Sequence, residues 1–137
     1  MFFKKKDQND NNDLIKVAAL LIHAAKIDEN FEKKEEEIIY QALLKLGAKS
    51  QNVENIIKEG KILEENTNQI LDFTKEVKNM EEIKKIKILE TLWKIIYSNK
   101  EADIYETNLM RRLAGLLYID NKIMGDIKEK IKKENQQ

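Results

Sequence analysis

Residues Leu89 to Leu117 read LETLWKIIYSNKEADIYETNLMRRLAGLL. Leu89, Leu92, Trp93 and Ile96 recur at helical spacing, a polar break follows, and a second amphipathic run opens on Asp103-Ile-Tyr-Glu106. In that second run Leu109, Met110, Leu113, Leu116 and Leu117 share one helical face. The pattern predicts two helices joined by a short turn. The segment holds the only Trp and both Arg residues of the chain. At 100° per residue Glu106 lies about 60° from Leu109, inside the apolar arc. A carboxylate on a core-facing stripe has to be partnered.

The same pattern occurs a second time, 71 residues upstream. Leu21 matches Leu92, Asp28 matches Asn99 and Glu35 matches Glu106; Ile38, Ala42 and Leu46 match Leu109, Leu113 and Leu117. Both copies are helix, polar turn, helix, with an acid in the first turn of the second helix. Amphipathic helices alone would reproduce the apolar matches, whereas the matched turn residues point to a true repeat. Two such hairpins are expected to pack around a pseudo-twofold axis.

Working outward, a first helix is expected from about Leu14 to Ile27 with Asp13 as N-cap. A second is expected over Lys33 to Leu46, ended by Gly47 at C′. Ser50 is expected to cap a third, to Glu65, carried by Val53, Ile56, Ile57, Ile62 and Leu63, with Gly60 weakening its middle. A fourth spans about Thr67 to Lys78 and buries Ile70, Leu71, Phe73, Thr74 and Val77. The fifth, about Glu81 to Tyr97, is apolar over most of its surface through Ile83, Ile86, Leu89, Leu92, Trp93 and Ile96. It is expected to be the most buried element, with Trp93 between the two hairpins. The sixth runs from Ile104 to Leu117, and Asp120 caps a seventh. No segment alternates with period 2, so the fold class is all-α, a compact bundle of about seven helices. Residues 1–12 are expected to form a flexible N-terminus and 13–134 the helical domain.

Composition narrows the function classes. A chain of 137 residues with 42% hydrophobic residues can bury a core as one domain. Twenty-five basic and 25 acidic groups cancel, and no basic balance favours nucleic acid. The absence of Cys excludes disulfides and thiolate metal sites. No apolar run reaches the roughly 18 residues of a membrane span, and MFFKKK is too short for a signal-peptide core. The expected location is the cytoplasm. Residues 1–12 read either as a frayed end or as a weak interfacial anchor, with Phe2 and Phe3 in the bilayer and Lys4, Lys5 and Lys6 over anionic lipid.

The motifs Ala24-Ala-Lys-Ile-Asp28 with Glu35, and Leu92-Trp-Lys-Ile-Ile-Tyr97 with Tyr105-Glu106 and Asn108 to Leu117, resemble the tellurite-resistance protein B (TerB-like) family, in its stand-alone bacterial branch. The resemblance covers about residues 14–132. It implies a small all-helical bundle with two pseudo-symmetric halves, and no catalytic reaction. Roles proposed for such proteins are divalent-metal binding and membrane-associated complexes in stress responses. The family pattern places Asp-Gly in each turn, with the Asp seven residues before a Glu. Here the turns read Asp28-Glu29 and Asn99-Lys100, so both glycines and one acid are replaced.

The turn acids admit two readings. Asp103 and Glu106, three apart, form a capping box, with Glu32 and Glu35 as a poorer version, and the helix dipole favours acids there. Alternatively Asp28, Glu35, Asn99, Asp103 and Glu106 supply the oxygen ligands that Ca²⁺ or Mg²⁺ prefers. Capping is the reading we expect, because Asn99 is a weaker ligand and neither turn keeps its Gly. Arg112 flanks the apolar stripe and is expected to fork onto a carboxylate of the other hairpin, while Arg111 points outward to solvent or a partner. His23, the single histidine, is expected to be a half-exposed helix residue, without the Glu-x-x-His partner of bundle metal sites. No phosphate loop, nucleophile elbow or HExxH motif is present. The expected function is a non-enzymatic module that binds a protein partner at a stress-response or membrane-associated complex. A divalent-metal-binding domain is the alternative, and a divalent cation the one cofactor left open.

Overall fold

The computed structural model describes the backbone of residues 2–26, 33–67, 71–98 and 104–136, with side chains over 12–26, 33–67, 72–98 and 106–134. The described residues form seven helices and no strand. They are α1 (Phe2–Ala25), α2 (Lys33–Lys45), α3 (Ser50–Glu65), α4 (Leu71–Lys78), α5 (Glu82–Tyr97), α6 (Ile104–Leu116) and α7 (Asn121–Gln136).

The helices obey the 71-residue offset more widely than the apolar pattern indicates. α2 and α6 start and end at equivalent positions, and so do α3 and α7. The repeating unit is therefore three helices, α1–α2–α3 and α5–α6–α7, with α4 as the connector. The helix ends repeat as well. Behind α2, Gly47 at φ +106° donates its N–H to Leu44 and Ala48 donates to Leu43. Behind α6, Tyr118 at φ +56° donates to Gly115 and Ile119 donates to Ala114. Both are Schellman ends, which satisfy the last carbonyls through one left-handed residue.

α1 lies at the centre and packs on α2, α3, α4 and α5. Its run Val17-Ala-Ala-Leu-Leu-Ile22 is buried at every position, so this turn and a half faces protein all round. α1 thus shares the role expected of α5 alone. The closest crossing is with α3, where Gly60 sits over Ala18 and Ala19; a Cβ there would come within 2.8 Å of the Ala18 Cβ and 3.2 Å of the Ala19 N. Gly60 is a contact position and not merely a weak spot in the helix. α4 folds over α1 with Phe73, Thr74 and Val77 buried. The Lys16 ammonium donates to Glu76 at 2.8 Å, and that bond with its charge holds the Glu76 carboxyl below its ordinary range.

α5 buries Ile88, Leu89, Leu92, Trp93, Ile95, Ile96 and Tyr97. Trp93 is in the core, beneath α7. Its Nε1 donates to the Met124 sulfur at 3.4 Å, its ring stacks on Tyr97 with centroids 5.7 Å apart, and Lys128 lies over it. Burial, aided by the Glu129 charge, pushes the Tyr97 phenol up.

Several local expectations change. α1 begins at Phe2 and not at Leu14, so Asp13 lies inside the helix and not at its N-cap. No Pro or Gly interrupts residues 2–13, and backbone hydrogen bonding needs no apolar period to continue. Lys49 occupies the N-cap of α3 without capping it through its side chain, and Ser50 is already helical. Ile62 and Ile83 are 45% and 66% exposed. Each stands nine residues, or half a rotation, from a buried neighbour on its own helix, Val53 and Leu92 respectively. Asp120 does cap α7, its Oδ1 accepting the Lys122 N–H at 2.7 Å. Ile70 and the Leu71 side chain lie outside the described residues.

Candidate functional site

α2 and α6 each begin with a polar turn of sequence that carries an acid inward. Glu35, in the first turn of α2, is 1% exposed, and Glu106, at the same point of α6, is 5% exposed. The sequence places them on the apolar arcs of their helices, and the structure buries both. Neither carboxylate is without an interaction. At these two positions the negative charge faces the positive end of its own helix dipole, which offsets part of its desolvation. Asp28, Asn99 and Asp103, the other oxygen donors of the candidate cation site, lie outside the described residues. Among the described residues no three His, Asp or Glu side chains converge as metal ligands.

His23 is half-exposed, as its position predicts. It joins a small surface cluster in which Glu64 of α3 takes the Lys26 ammonium at 2.8 Å and approaches the His23 Nδ1 at 3.4 Å. Arg111 and Arg112 are both exposed, and neither makes an ion pair with a described residue. The carboxylates of the first turn onto which Arg112 is expected to fork, Asp28, Glu29 and Glu32, lie outside the described residues.

The feature that hydrophobic patterning does not reveal is a groove between α2 and α5. The two helices run antiparallel: the Lys34 Nζ donates to the Ser98 carbonyl at 2.8 Å at one end, and Lys45 faces Lys87 at the other. Ile38 and Ala42 from α2 and Thr91 from α5 form the floor of a cavity of about 220 Å³. Thr91 turns its hydroxyl back to the Lys87 carbonyl at 2.8 Å, which leaves its methyl group to the groove. Beyond Ile38 and Lys94 the groove continues as a second hollow of about 240 Å³ against Ser98, Ile131 and Glu134.

The tellurite resistance protein TerB family model matches residues 14–129. No curated protein and no solved structure matches the chain. The matched span takes in both copies of the three-helix repeat, with the two buried acids in equivalent first turns. On that match, spanning most of its length, the chain belongs to the TerB family.

Proposed function

We propose that this TerB-family chain is a non-catalytic binding module that receives a protein partner, and that its buried turn acids serve the fold. The observation that carries the reading is the groove between α2 and α5. It is an open, mainly apolar depression on a helix pair that, like α1 and α5, joins the two halves of the repeat. Open apolar depressions with polar rims are the usual seats of partner helices. The cytoplasm is the compartment we assign, and no helix among the described residues is long and apolar enough to cross a membrane.

A second reading has one observation in its favour. Glu35 and Glu106 are buried at equivalent points, and buried acids can serve a divalent cation together with Asp28, Asn99 and Asp103. Under the first reading, calorimetric titration of metal-stripped protein with Ca²⁺, Mg²⁺ and Zn²⁺ gives no saturable heat. Glu106→Ala then lowers stability by about 1 kcal/mol, the usual scale of a lost cap, equally in EDTA and in Ca²⁺. Cation-dependent melting of the wild type, absent from Glu106→Ala, would replace the module reading with the metal one.

A further inference from the structure

We infer that the α2–α5 groove takes an acidic amphipathic helix from a partner protein; the inference rests on the binding-module reading and names the partner class. Its first support is charge. Lys45, Lys87 and Lys94 stand around the groove and make no ion pair with a described residue. Of the three acids that line the two hollows, Glu90 already takes Lys130 at 3.2 Å, while Glu37, which accepts the neutral Gln41 amide at 3.0 Å, and Glu134 keep their charge. Lys45, Lys87 and Lys94 thus outnumber Glu37 and Glu134 by one, a positive excess in a chain that is neutral as a whole.

The second support is shape. Lys87, Thr91, Lys94 and Ser98 follow one another at three- and four-residue steps along α5, so the groove is about three helical turns, roughly 16 Å, long. Its floor is apolar at Ile38 and Ala42 and again at Ile131. Lys45 and Lys87 mark one end, and Lys94 lies where the two hollows join. A helix with small or branched apolar residues at i, i+4 and i+7 would meet the floor, and acids flanking that stripe would meet the three ammonium groups. A basic partner would leave these lysines facing like charge.

The test uses the full chain and three fluorescein-labelled 14-residue peptides. Each carries Leu and Ala on one helical face; the other face is Glu in the first, Gln in the second and Lys in the third. Anisotropy should show the Glu peptide binding at least tenfold more tightly than the Gln peptide, with the preference shrinking in high salt. NMR shifts on binding should centre on Ala42 and Thr91. Lys45→Glu with Lys87→Glu and Lys94→Glu, all exposed or half-buried changes, should abolish that preference and turn it toward the Lys peptide. Equal binding of the Glu and Gln peptides would overturn the acidic partner while leaving a binding module. Shifts centred elsewhere, or no binding by any peptide, would overturn the groove itself. Binding to phosphatidylglycerol vesicles that the triple variant loses and the Glu peptide does not displace would give the lysines to a membrane instead. None of these results is the cation-dependent melting that defeats the module reading.

Discussion

At the residue scale, Tyr118 shows what the repeat demands. A left-handed residue must end both α2 and α6, and the first copy uses Gly47 while the second uses Tyr118 at φ +56°. An L side chain pays roughly 1–2 kcal/mol for that conformation. The ring is 73% exposed and recovers little by burial, though the Lys78 ammonium sits 4.7 Å above it and the Lys85 ammonium donates to the adjacent Leu117 carbonyl. Tyr118→Gly made in a Lys78→Ala background, where the ring–cation contact is already gone, should therefore stabilise the protein by about 1 kcal/mol. Denaturant melts in which that pair of variants differs by nothing, or in the opposite sense, would show that the turn is not strained. Glu35 and Glu106 were legible as inward acids from helical phase alone. Tyr118 was not, since a left-handed Tyr leaves no mark in a hydrophobic pattern.

At the scale of the element, α1 and α3 form the most extensive helix pair, and Gly60 sets their distance. Helix propensity argues that Gly60→Ala should gain about 1 kcal/mol. The added Cβ, however, meets the Ala18 Cβ and the Ala19 backbone inside normal contact distance, and backbone cannot step aside alone. Overpacking of this kind costs about 1–3 kcal/mol, so a net loss of stability is expected. Ala18→Gly in the same chain should restore part of it by removing the nearer atom. A Gly60→Ala protein that melts higher than wild type would place α3 farther from α1. The equivalent residue of α7 is Ile131, buried to 2% exposure. The same repeat position is thus filled by nothing in one half and by a large side chain in the other, which is why the repeat eluded residue-by-residue matching in this helix.

At the scale of the molecule, one core cluster runs through both repeat units and the connector. It contains Leu21 and Ile39 from the first unit, Phe73 and Val77 from α4, and Leu92, Leu113 and Ile127 from the second. A core shared in this way should unfold as one cooperative unit. Far-UV circular dichroism, which reports every helix, and Trp93 fluorescence, which reports the α5–α7 contact, should give coincident midpoints. A Trp93 transition that precedes the loss of helix would mean that the halves melt separately.

Hydrophobic period, turn composition and the 71-residue offset determined by themselves that this is an all-α repeat, where six of its helices lie to within a few residues, and that two acids point inward. Those properties are local, since a helical phase is set by neighbours three and four positions away. Tertiary structure decided that α1 is central, that Trp93 packs beneath α7, that Ile62 and Ile83 face outward and that lysines from α2 and α5 rim one groove. Each depends on which helix lies beside which, and that is set by how side chains of unequal size fit together. The contact of Gly60 with Ala18 brings together residues that are far apart in the chain, so no reading along it could find the place where two helices nearly touch.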